Sequence, residues 1–164
     1  MLLLCCKKQG SLDATVDTPV EPNQKLGEAS NSAIVDKGSY QRLVGKLIYL
    51  SHTRPDIIYA VSMVSQFMHN SKDVYLQAVY SILQYLKATP EKRIVLKKGR
   101  SLTLEAYMNA DYAGFVVDRM STSGYRTFVG GNLVTWRSKK QGVVVRSSIK
   151  VEFRAMTLGI FELL

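Results

Sequence analysis

Cysteine is nearly absent: two in 164 residues, side by side at Cys5 and Cys6. Neighbouring cysteines rarely bridge to each other, and no Cys-x-x-Cys spacing exists, so a disulfide scaffold is excluded. A zinc site would have to recruit His52 and His69 from elsewhere in the chain, with no motif spacing to support it. The cysteine usage fits a reducing intracellular setting. Long apolar runs are missing too. Met1 to Cys6 is apolar, but it is too short for a signal-peptide core or a membrane span, and it reads as the ragged start of a fragment. Acid is scarce beside base: 13 Asp and Glu against 22 Lys and Arg, a net charge of +9. The excess is uneven. Residues 1–90 hold 9 Lys/Arg and 7 Asp/Glu, whereas residues 91–164 hold 13 and 6. The second part therefore favours a polyanion as partner, with solubility charge as the plain alternative.

What is present is a globular composition, 46% hydrophobic, in a length that allows one domain or one small domain plus a fragment. Residues 1–38 are rich in Asp, Pro, Gly, Ser, Asn and Lys, with little periodicity. Pro19 and Pro22 bias their predecessors away from helix, so this stretch is expected to be linker or disorder. From Ser39 the apolar spacing turns helical. Tyr40, Leu43, Val44, Leu47, Ile48 and Leu50 form one stripe. Thr53 is expected to cap a second helix, with Pro55 in its first turn and an apolar face running from Ile57 to Met68. Asn70 or Ser71 is expected to cap a third, with Val74, Tyr75, Ala78, Val79, Ile82, Leu83 and Leu86 inward and Pro90 ending it. Residues 39–90 thus read as a helical unit whose aromatic side chains and Met residues are core.

The pattern then changes to short strands: Lys92–Lys98, Leu102–Asn109, Gly124–Gly130 and Asn132–Arg137. Gly130-Gly131-Asn132 is a hairpin signal, because tight hairpin turns need residues that accept positive φ. Ser147 or Ser148 is expected to cap a last helix, with Val151, Ala155, Leu158 and Leu163 among its apolar residues.

One stretch carries chemistry: Tyr107-Met108-Asn109-Ala110-Asp111-Tyr112-Ala113-Gly114. Asn109 and Asp111 share a face of an extended chain. An Asp at a strand end is either a metal ligand or a turn former, and local chemistry leaves both open. Trp136 and Tyr112 are flat faces on which bases would stack, with a core anchor as the alternative for Trp136.

The surrounding text resembles a known family. Asn109 to Gly114 is followed by Asp118-Arg119-Met120-Ser121-Thr122-Ser123-Gly124-Tyr125, then Gly130 to Trp136, Ser138-Lys139-Lys140-Gln141 and Arg146-Ser147-Ser148. Together these resemble the ribonuclease H region of copia-type LTR retrotransposon Pol polyproteins. Tyr40 to Leu50, Thr53 to Ile57 and Tyr85-Leu86-Lys87 resemble the segment joining reverse transcriptase to ribonuclease H in the same polyproteins. The resemblance spans roughly residues 17–164. It implies an α+β chain: a helical reverse transcriptase tail at 39–90, then a truncated ribonuclease H-like mixed sheet at 91–164 in the order β-β-β-α. It also implies an RNA–DNA hybrid as partner and Mg²⁺ held by carboxylates as cofactor.

Residue by residue, the family's first metal-binding aspartate falls on Asn109, which keeps the shape and loses the charge. Asp111 survives, about 6–7 Å further along the strand. Glu152 falls on the helix-borne ligand, although a Glu in the first turns of a helix is also ordinary dipole complementation. Lys150 stands where the family often has an acid, Phe115 replaces a frequent Asp, and Met120 replaces a basic residue. The family's later carboxylates lie beyond Leu164. The resemblance therefore implies a degenerate, inactive fragment. The alternatives are a metal-dependent ribonuclease H using Asp111 and Glu152, and a non-catalytic nucleic-acid-binding module. For the last, Arg137, Lys139, Lys140, Arg146, Lys150 and Arg154 would follow phosphates. If the sheet stops after the first helix, the Leu102–Asn109 strand becomes an unprotected edge, and self-association is expected through it.

Overall fold

A computed structural model describes residues 18–20, 33–98, 102–113 and 119–163. Contacts divide the chain into two units, Met1–Arg93 and Ile94–Leu164. The fold is mixed α and β: four α-helices and one three-stranded antiparallel sheet among the described residues. No helix there is long and apolar enough to cross a membrane. Most of the expected linker at 1–38 lies outside the described residues.

The first unit is helical. α1 spans Lys37–Ser51, a 3-10 turn covers Pro55–Ile57, α2 spans Ile58–Ser65 and α3 spans Asp73–Ala88. α1 starts two residues before Ser39 because Asp36 caps it, accepting from Ser39 N at 2.9 Å. Tyr40, Val44 and Leu47 of α1 are fully buried, as are Ile57 and Val64 and, from α3, Ala78, Val79 and Ile82. The i, i+3, i+4 spacing of these residues is what brings three stripes into one core. Tyr40 is tied into it by donating to the Val64 carbonyl at 2.7 Å. Phe67 stacks on Tyr75 with ring centroids 3.8 Å apart.

Two expected caps do other work. Thr53 donates back to the Leu50 carbonyl and finishes α1, while the next turn begins at Arg54 without a side-chain cap. Ser71 donates to the Val35 carbonyl, and Lys72, not Asn70 or Ser71, holds the N-cap position of α3. In both places the hydroxyl donates to a carbonyl outside the following helix, and neither accepts from that helix's first N–H groups as a cap would. Arg54, 8% exposed, is held by Asp56 and Thr89. The Tyr85 hydroxyl also donates to Asp56, and Lys92 donates to Tyr85. This network ties the start of the 3-10 turn to the end of α3.

The second unit is a meander with one helix on it. β1 is Leu104–Asp111, β2 Thr122–Val129 and β3 Asn132–Lys140, paired in the order β1-β2-β3. The β2–β3 hairpin turns on Gly130 and Gly131, with φ of 56° and 77°, as the sequence signal requires. A bulge interrupts the β2–β3 register at Thr127/Phe128. The expected strand at Lys92–Lys98 is not formed. That segment is irregular, and at Lys97 the Asn132 side chain replaces a partner strand, accepting from Lys97 N and donating to Lys97 O. β1 and β2 are both displaced by one or two residues from expectation, so Asn109 and Asp111 lie inside β1.

α4, Ser148–Phe161, covers one face of the sheet with Val151, Ala155 and Gly159. These are small residues at i, i+4, i+8, so the helix approaches closely. A Cβ on Gly159 would lie 2.6 Å from Met108 Cγ, which fills the space the glycine leaves. The buried Gln141 amide clamps the other end, donating to Ser123 Oγ at 2.7 Å and to the Val151 carbonyl at 3.2 Å. Leu158 and Leu163, expected on the apolar face, are exposed, because the inward stripe runs through the glycine instead.

Candidate nucleic-acid interface and the carboxylate positions

Met108 under Gly159 marks the face of β1 that meets α4. Side chains alternate along a strand, and the burial of β1 alternates with them, so Ala106, Met108 and Ala110 face the helix. Glu105, Tyr107, Asn109 and Asp111 stand on the other, open face. Asn109 is opposite Gly124 and Asp111 opposite Thr122. Both are exposed. The Asn109 side-chain amide oxygen, Oδ1, accepts from Ala110 N at 2.9 Å. Glu152 is exposed on the second turn of α4, which packs on the opposite face. The Gln141 clamp shows that the start of α4 and the end of β1 lie at the same end of the sheet. The alternation nevertheless sends Asp111 and Glu152 from different faces.

Among the described residues no three His, Cys, Asp or Glu side chains come together in a way that could hold a metal ion. The donor set of Asn109, Asp111 and Glu152 is therefore a poor fit to a pair of Mg²⁺ ions, which need several carboxylate oxygens converging within a few ångströms.

The basic residues divide among surfaces. Arg137 and Lys139 lie on the α4 side of β3, where they border a groove with Ser123, Tyr125, Leu158 and Glu162. Arg137 is engaged there by Glu162 at 3.1 Å. Burial, then the Glu162 carboxylate, pushes the Tyr125 hydroxyl upward, and Arg137 opposes the shift. Lys140 points to the open face by alternation. Arg146, Lys150 and Arg154 are exposed before and along α4. A run that is continuous in sequence thus becomes three separate groups.

Trp136 is half-buried on the open face and Tyr112 is exposed just past β1. Cross-strand pairing adds residues that periodicity did not single out: Tyr107 is opposite Arg126, and Arg126 is opposite Trp136. Tyr107 donates to Glu105 Oε2 at 3.0 Å, and that bond raises its hydroxyl pKa. Alternation would have put Tyr107 on the face of Asn109; only the register could add Arg126.

The chain is 48% identical over 141 residues to a retrovirus-related Pol polyprotein from transposon RE1 of Arabidopsis thaliana. It is 44% identical over 141 residues to that from transposon RE2 of the same plant. Each match covers 86% of this chain and 10% of the relative, so the chain spans about a tenth of these polyproteins. It is also 39% identical over 119 residues to secreted RxLR effector protein 161 of Plasmopara viticola, covering 72% of this chain and 84% of that protein. No family profile and no solved structure matches the chain.

Proposed function

We propose that this chain, 44–48% identical to segments of retrovirus-related Pol polyproteins from plant transposons, is a degenerate copia-type segment. On this reading it joins a reverse transcriptase tail to a ribonuclease H-like region that binds nucleic acid without cutting it. The observation that carries the reading is the placing of Asn109. The position where the resembled family holds its central-strand aspartate is here an amide on the open face of β1, while Glu152 rides on α4 across the sheet. An amide oxygen is a weak ligand for a hard cation and cannot bridge two of them. Asp111, on the same open face as Asn109, does not repair the arrangement. Mg²⁺ would be held weakly or not at all. The partner proposed is an RNA–DNA hybrid, held through phosphates by the basic residues of the second unit.

The test is incubation of the purified chain with an end-labelled RNA–DNA hybrid in Mg²⁺ or Mn²⁺. No cleavage is expected, and Asn109→Asp alone should not restore it. Hybrid binding should weaken steeply as salt rises, because each phosphate contact releases counterions. Metal-dependent cutting that disappears with Glu152→Gln would overturn the loss of catalysis. Binding indifferent to salt would overturn the phosphate contacts.

A further inference from the structure

The open face of the sheet carries a row of side chains unrelated to carboxylate chemistry. Tyr107 on β1, Arg126 on β2 and Trp136 on β3 are successive cross-strand partners, so they stand side by side on the face away from α4. Tyr107 is 56% exposed and Arg126 is exposed, with Trp136 half-buried at the end of the row. The tyrosine ring is braced. Phe128 meets it edge-on at 5.7 Å and 89°, and Glu105 holds its hydroxyl. A ring already fixed by two neighbours has little freedom left to lose when a flat ligand stacks on it. Next to the row, Gly124 sits between Asn109 and Ser138 and leaves a low step in the surface. Arg126 adds a planar cation, which both stacks on bases and pairs with phosphate.

The geometry points to a platform for the bases of single-stranded nucleic acid, stacked on Tyr107 and Arg126 with Trp136 at the end of the row. This deepens the proposed function and rests on its reading of the chain as a nucleic-acid binder. The row itself argues for the occupant: Arg126 places a planar cation between two aromatic rings, and bases stack on such faces while the guanidinium pairs with phosphate. Lys140 stands on the same face as the row, whereas Glu105 and Asp111 make the β1 rim acidic. Phosphates would therefore follow β3 and bases would lie across the row. A duplex has its base faces already stacked on one another, so the platform prefers an unpaired strand.

Trp136 is the only tryptophan, so its fluorescence reads the row directly. The full chain is titrated with an oligodeoxythymidylate, an RNA–DNA hybrid of equal length, and inorganic polyphosphate. The expected result is saturable quenching by the single strand and none by polyphosphate. Tyr107→Ala should weaken single-strand binding by about tenfold, with Tyr107→Phe retaining it and hybrid affinity unchanged. Saturable single-strand binding without quenching, or without any effect of Tyr107→Ala, overturns the platform. Hybrid binding with no single-strand binding overturns the platform alone and leaves the proposed function standing. Single-strand quenching with no hybrid binding keeps the platform and removes the hybrid from the proposed function. Emission that follows chain concentration and ignores every nucleic acid marks a protein-docking face and overturns the platform. Absence of any nucleic-acid binding overturns both.

Discussion

Arg54 is the only charged side chain buried among the described residues, and Asp56, Thr89 and Tyr85 surround it. Removing Arg54 leaves the partly buried Asp56 carboxylate with the Tyr85 hydroxyl as its remaining side-chain partner and frees the Thr89 acceptors. Arg54→Ala should therefore lower the stability of the chain by about 3 kcal/mol, read by urea unfolding of the helical signal. A loss within error of zero would show that solvent already supports Asp56. Burial raises the Asp56 carboxyl, but bonds from Arg54 and Tyr85 outweigh it and the net shift is downward from 3.8. A depressed folded pKa means that its contribution is present above the unfolded value and is lost as pH falls through the folded one. Stability should thus fall below about pH 4, and the fall should be shallower in Asp56→Asn, which has already lost the pair. Equal acid sensitivity in both chains would place the titrating group elsewhere.

At the scale of the element, α4 is set by three small steps, Val151, Ala155 and Gly159, with Met108 filling the last. Glycine in a helix interior costs about 1 kcal/mol relative to alanine, so its presence here is a packing choice. Gly159→Val should displace Met108 and destabilise the second unit by roughly 1–3 kcal/mol. Met108→Ala in the same chain should recover part of that loss, because the two side chains compete for one space. Strictly additive losses would mean that the helix shifts instead of the methionine. The other side of α4 exposes Ile149, Phe153, Met156 and Ile160, spaced 4-3-4 along the helix. That is the spacing of a helix seam rather than of a solvated face.

For the whole molecule, this seam and the sheet edge belong to one expectation. β1 ends the sheet, and among the described residues no strand pairs with its outer side. An unpaired row of backbone donors and acceptors, with an exposed apolar helix above it, favours association with a second copy despite the net charge of +9. Sedimentation over a concentration range should show mass rising with concentration, and Phe153→Glu on α4 should shift the balance toward monomer. A compact monomer at high concentration, with amides along β1 protected from exchange, would show that the edge is covered within the chain.

Much of this was settled along the chain itself. The periodicity of Tyr40 to Leu47 and of Tyr75 to Leu83, the stop at Pro90, the Gly130-Gly131 turn and the helix after Ser147 are local, since each depends on neighbours within one turn or hairpin. The charge asymmetry and the family resemblance are likewise properties of the sequence. Other features needed a partner from far away. Lys92–Lys98 has strand-like residues, but among the described residues no strand pairs with it, and the Asn132 side chain meets Lys97 instead. Arg54 reads as a surface cation until Thr89, 35 residues on, closes over it. Alternation shows that Asn109 and Asp111 share a face, but not on which side of the sheet the helix carrying Glu152 will lie. That choice came from Gly159 settling on Met108, and the Tyr107-Arg126-Trp136 row came from strand register. A period of two records which side chains go together; only packing against a second element decides what they face.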